Sequence, residues 1–196
     1  MCIRDSSSAA SIAAYDILEN LKGKYREYLS DFRFISVREN KSKELLEDIL
    51  VGKDIRVDLA PTLRLRKHDW EKIEKKPKWI SNQKKYILVY NLDSSIPIEL
   101  QVFAKKNGFD ILSLMYESSK AYKSDPSELI YLIHNAELVY TDSYHGTIFA
   151  ILFEKQFIHA TRQQNTVGHS MNSRFDTLFD KLGINSQKVS RIDKKY

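Results

Sequence analysis

A single cysteine, Cys2, stands in a chain of 196 residues. It excludes a disulfide framework and any zinc-knuckle spacing, and it fits a reducing compartment, which here means the cytoplasm. No apolar run approaches the roughly 20 residues that a membrane helix needs. There is no internal repeat and no low-complexity tract. A basic arm or stripe is also missing: 31 Lys and Arg against 26 Asp and Glu are scattered singly and in pairs, for a formal net charge of +5. That scatter argues against nucleic-acid binding. It reads as a solvated surface, whose mild positive field favours anionic substrates or peripheral contact with an anionic membrane face. What the chain does have is 42% hydrophobic and 11% aromatic residues, enough to bury a core.

The stretch that concentrates chemistry is Tyr140-Thr141-Asp142-Ser143-Tyr144-His145-Gly146-Thr147. Before it, Leu138 to Thr141 reads as a buried strand; after it, Ile148 to Phe153 reads as a buried helix. A strand-to-helix joint of this kind sits where open α/β sheets bind ligands. The helix start aims backbone N–H groups and a positive dipole end at whatever lies there. Ser143, Gly146 and Thr147 are small enough for an anion to reach the backbone, and His145 can move a proton near neutral pH.

Met1 to Ser6 read as a non-native scar outside the fold. Apolar spacing predicts helices over Ala13 to Leu29 and Ser42 to Leu50, with Gly52 as a stop, and short strands at Phe34 to Val37 and Ile55 to Val57. The charged stretch Lys75 to Lys85, broken by Pro77, reads as linker or surface loop. Further on, Tyr86 to Tyr90, Ile111 to Leu114, Leu138 to Thr141 and Gln156 to His159 read as strands. They alternate with helices at Ile98 to Asn107, from Asp125-Pro126-Ser127-Glu128 onward, after the joint, and at Ser173 to Leu182. Asp125 and Glu128 stand where a capping box needs them. The alternation predicts an α/β fold with a Rossmann-like parallel sheet and flanking helices.

Four stretches occur in the order and rough spacing found in a known family. They are Ile35-Ser36-Val37-Arg38-Glu39, Val57 to Leu63, Trp70, and Thr141-Asp142-Ser143-Tyr144-His145-Gly146. With the Asp125-Pro126 helix and Asn172-Ser173-Arg174, they resemble the polysaccharide pyruvyl transferase family over Phe34 to Ile184. The resemblance implies a two-domain GT-B-like fold. It divides the chain into residues 7–66 as the tail of a first Rossmann-like domain, 67–85 as linker and 86–196 as the second domain. The chain would then be a fragment, inactive by itself.

The activity implied is transfer of the enolpyruvyl group of phosphoenolpyruvate to a sugar hydroxyl of a polysaccharide or lipid-linked glycan precursor, leaving a pyruvate ketal. It implies no redox cofactor, and no metal-ligand spacing appears in the sequence. In that reaction His145, as imidazolium, is the general acid for C3, a state that a nearby phosphate favours. Ser143, Gly146 and Thr147 bind the donor's phosphate or carboxylate, and Arg38 and Arg174 clamp its anionic groups.

Each residue also has a plain structural use. His145, Ser143 and Thr147 suit a helix start, and Gly146 suits close strand–helix packing. Asp142 suits a cap or a prop for the histidine. Arg38 suits an ion pair with Glu39, and Arg174 suits exposure to solvent. His134, His159 and His169 read as structural or surface residues, and Trp70 and Trp79 as packing. Two other functions fit the same pattern: a GT-B glycosyltransferase using a nucleotide sugar, and a non-catalytic binding module.

Overall fold

Short apolar runs joined by helices of about ten residues leave parallel pairing as the natural arrangement, because each crossover returns the chain to the same end of the sheet. The computed structural model describes residues 6–12, 14, 16–80, 85–92, 95–160 and 173–184. The chain falls into two compact units, residues 1–64 with 163–186, and residues 65–162 with 187–196.

In the first unit, β1 (Ser6–Ala10), α1 (Glu19–Leu29), β2 (Phe34–Val37), α2 (Asn40–Ile49) and β3 (Ile55–Val57) follow in order. The strands form a parallel sheet ordered β1-β2-β3, with Ile35 opposite both Ser7 and Ile55. Ile17, Ile35, Val37, Leu46, Ile49, Leu50 and Ile55 make the core. Gly52 takes a φ of 80° just beyond α2, where its missing Cβ permits the left-handed turn.

Two expectations change here. Ser6, assigned with Met1 to a scar, opens a strand; the other scar residues, like Ala13, Tyr15, His169 and Asn172, lie outside the described residues. The first helix starts at Glu19 rather than Ala13, and none of its residues is buried. Its apolar spacing is real, but only Tyr25 and Leu29 pack on the core, while Leu18 and Tyr28 face solvent.

In the second unit, α3 (Lys67–Glu71), β4 (Tyr86–Tyr90), α4 (Ile98–Asn107), β5 (Asp110–Ser113), α5 (Pro126–His134), β6 (Leu138–Thr141), α6 (Tyr144–Leu152) and β7 (Phe157–His159) build a four-stranded parallel sheet ordered β5-β4-β6-β7. This is the Rossmann-like α/β architecture. The chain leaves β4 for β5 on one side and then adds β6 and β7 on the other. The order therefore reverses between β4 and β6, and the crevice at their carboxyl ends is where such sheets take ligands.

The helix α7 (Ser173–Leu182), placed in the second domain by its position in the sequence, belongs to the first unit. Its Thr177 hydroxyl accepts the Asn40 N–H at the start of α2 (3.1 Å), and Phe175, Leu178 and Phe179 are buried. The stretch read as linker or surface loop carries no helix or strand over residues 75–80, and Trp70 and Trp79 pack as expected. Trp70, Trp79 and Ile80 pack against the core of the second unit, and Lys75 N–H bonds to the Ser127 carbonyl (3.1 Å). Lys75, Lys76 and Lys78 are exposed on a segment that Trp79 and Ile80 anchor.

The capping box forms as read: Asp125 accepts the Glu128 N–H (2.9 Å) and Glu128 accepts the Asp125 N–H (3.2 Å). That backbone bond, helped by Lys75, holds the Asp125 carboxyl below its ordinary range. A lowered folded-state pKa contributes stability above the unfolded carboxylate's pKa and loses it as pH falls through the folded value. Asp125→Ala is therefore expected to lower the melting temperature at neutral pH. The gap between variant and parent should close as thermal unfolding is repeated at increasingly acid pH.

Candidate active site

The joint after β6 is built from one threonine. Thr141 ends the strand fully buried, and its hydroxyl donates to the Tyr90 carbonyl at the end of β4 (2.7 Å). The same oxygen accepts the Ser143 N–H (2.9 Å), which turns the chain sharply out of the strand. Asp142, also buried, accepts the Leu92 N–H (2.9 Å). The loops after β4 and β6 are thus tied together across the reversal point, and the aspartate has a structural partner on the far loop.

Ser143 is the N-cap of α6. Its hydroxyl accepts the Gly146 N–H (3.3 Å), and its carbonyl accepts both the Thr147 N–H (2.9 Å) and the Thr147 hydroxyl (3.1 Å). Ser143, Gly146 and Thr147 are all buried; the two hydroxyls bond within the cap, and the bare Cα of the glycine serves the packing. Gly146 lies so close to the sheet that a Cβ would stand 2.7 Å from Thr141 Oγ1 and 2.9 Å from Tyr90 Cδ1. The packing reason for a glycine is thereby explicit.

His145 is the exception in this stretch. It occupies the first turn of α6 and is exposed, while Tyr144 beside it is almost fully buried and meets its ring edge-on, 6.1 Å between centroids. The helix beneath is gripped along its length. Trp70 packs edge-on against Phe149 (5.0 Å), and the His134 ring stacks on Phe153 (4.5 Å) while bonding Glu74 (2.8 Å). An imidazole presented to solvent from a fixed helix start, at the reversal point of a parallel sheet, can exchange a proton with a bound anion.

Arg38 and Arg174 belong to the first unit. Arg38 Nε donates to the Ala9 carbonyl (2.7 Å), and its backbone N–H to the Ala10 carbonyl (2.8 Å). The Arg38 side chain thus holds the end of β1, and Glu39 binds the residues that follow it. That glutamate is 1% exposed and accepts from Ser11, Ile12 and Ser42. Ser36 accepts the N–H of Ala9 (2.9 Å), an alanine held at a φ of 52°. The Ser36-Val37-Arg38-Glu39 stretch therefore works as a clasp around the end of β1. Arg174 is half-buried in the first turn of α7, its guanidinium carbon 5.6 Å from the Phe175 ring centroid. Because Thr177 caps the start of α2, both arginines lie at the carboxyl end of that unit's sheet.

Sequence reasoning missed Tyr90 and Leu92, whose backbone groups hold the joint from the β4 side. The available signal was the switch from an apolar run to Asn91 at the end of β4, the usual place for site residues in this architecture.

A family model for polysaccharide pyruvyl transferase matches residues 7–163. No curated protein and no solved structure matches the chain. The matched stretch runs from β1 to just beyond β7 and includes both the clasp and the joint; the chain belongs to the polysaccharide pyruvyl transferase family.

Proposed function

We propose that this protein transfers the pyruvyl group of phosphoenolpyruvate to hydroxyls of a polysaccharide or lipid-linked glycan precursor, with His145 as general acid. The observation that carries this reading is the exposed imidazole in the first turn of α6, at the carboxyl ends of the reversing strands. The donor brings a phosphate and a carboxylate, and the start of α6 offers the positive end of a helix dipole to one of them.

The imidazolium gives its proton to C3, which becomes a methyl group, and C2 becomes electrophilic. An acceptor hydroxyl attacks C2, forms the first C–O bond and returns a proton to His145. A second hydroxyl of the same sugar forms the second C–O bond as the bond from C2 to the phosphate oxygen breaks. Inorganic phosphate leaves with the remaining proton, and the product is a ketal. No electron is gained or lost, so the reading needs no redox cofactor.

Calorimetric titration of the chain with phosphoenolpyruvate and with a set of nucleotide sugars tests the donor. Saturable binding of phosphoenolpyruvate is expected. Binding of a nucleotide sugar alone would replace this reading with that of a glycosyltransferase.

A further inference from the structure

The loop that follows β5 rises from the same end of the sheet as His145, because all four strands of the second unit are parallel. It is tightly built. The Ser119 hydroxyl accepts the N–H of Ser113, the last residue of β5 (3.2 Å), and that of Ala121 (3.3 Å). Successive turns close from Ser119 N–H to the Tyr116 carbonyl (2.8 Å), from Tyr122 N–H to the Ser119 carbonyl (3.1 Å) and from Ser124 N–H to the Ala121 carbonyl (3.1 Å). Ala121 plugs the loop into the core at 1% exposure. A loop fixed this well still leaves two tyrosine rings outside, Tyr116 at 54% and Tyr122 at 43%, with Lys120 and Lys123 exposed beside them against one exposed acid, Glu117. Leu92, 41% exposed, stands on the neighbouring loop after β4. Rigid loops at the carboxyl end of such a sheet are where binding residues concentrate, and aromatic rings held in the open offer flat apolar faces with a polar tip.

We propose that this loop is a subsite for the glycan chain of the acceptor, with Tyr116 and Tyr122 stacking on sugar rings and Lys120 and Lys123 meeting their acidic groups. The inference rests on the transfer reading above, and it assigns the second unit a role in choosing the acceptor. The strand order sets the distance. β5 is separated from β6 by β4 alone, so their ends lie about 10 Å apart at the usual strand spacing. A few linked sugars bridge that span, which lets the chain rest on the tyrosines while its terminal ring reaches His145. Selection of acidic glycans follows from the lysines and weakens with added salt.

The test is titration of the 196-residue chain with a ladder of acidic oligosaccharides, alternating uronic acid and N-acetylhexosamine, from disaccharide to octasaccharide. Affinity should rise with length. The double variant Tyr116→Ala/Tyr122→Ala should lose about tenfold or more on the longer members and bind phosphoenolpyruvate like the parent. Lys120→Glu/Lys123→Glu, a surface change that keeps the loop's turns, should weaken the ladder at low salt in the same direction. Equal binding of the ladder by parent and both variants overturns the subsite, and so does a parent that binds none of it. Failure of the parent to bind phosphoenolpyruvate, with glycan binding intact, overturns the donor reading instead.

Discussion

In a form of the protein that turns over phosphoenolpyruvate, replacing His145 by alanine is expected to lower turnover by about 10²–10⁴-fold, the usual worth of a positioned general acid, while leaving the fold intact. The two halves of this expectation come from different observations. The ring is exposed, and hydrogen bonds through Thr141, Asp142, Ser143, Gly146 and Thr147 tie the joint together. Removal of an exposed ring opens no cavity, and surface changes of that kind stay within about 0.5 kcal/mol. Loss of a proton donor acts in the transition state alone, so kcat and kcat/KM should fall together and the donor's binding constant should barely move. The parent's turnover should decline as pH rises through the titration of the imidazolium, and the variant's residual rate should lack that limb. Near-normal turnover in a folded His145→Ala protein would remove the histidine from the chemistry and leave it as a surface residue of a helix start.

How much of this was legible beforehand depends on how far apart the interacting residues lie in the chain. Tyr86 to Tyr90 and Leu138 to Thr141 come out with the bounds expected, because a strand buried on both faces needs an uninterrupted apolar run and shows it locally. The Asp125–Glu128 box is equally local, three residues and two reciprocal bonds. The strand β1 had no such mark. Ser6–Ala10 is small and polar, and its place is fixed by Ser36, Arg38 and Glu39, all from the stretch around β2 some thirty residues on. The attachment of α7 to the first unit was hidden for the same reason. Phe175, Leu178 and Phe179 mark an apolar face, but the sequence pattern does not name the surface that covers it. At the joint, the sequence marked the eight residues between strand and helix and left the roles of Ser143, Gly146 and Thr147 open between ligand and cap. Their burial and hydrogen bonds now describe a cap, and the exposed His145 is the side chain turned outward.

Gly146→Ala should be the most damaging small substitution in the joint, even though alanine is the better helix former by about 1 kcal/mol. The added methyl would stand 2.7 Å from Thr141 Oγ1 and 2.9 Å from Tyr90 Cδ1. Neither neighbour yields easily. The Thr141 hydroxyl is bonded to the Tyr90 carbonyl and to the Ser143 N–H, so turning it away breaks both bonds beneath a buried helix start. The remaining escape is to lift α6 off the sheet. Overpacking of this kind costs about 1–3 kcal/mol, so a net loss of up to about 2 kcal/mol is expected after the gain in propensity, with Gly146→Val costing more. Activity should suffer beyond what stability explains, because a shift of about 1 Å in a catalytic group can cost about 10²-fold in rate, and His145 is the adjacent residue. The cause can be isolated with a second change. Thr141→Ala removes the closest atom, so in the double variant Gly146→Ala should cost less than it does in the parent, a coupling of the kind seen between touching side chains. Additive losses in thermal unfolding would mean that the helix start is positioned by something other than the contact with Thr141.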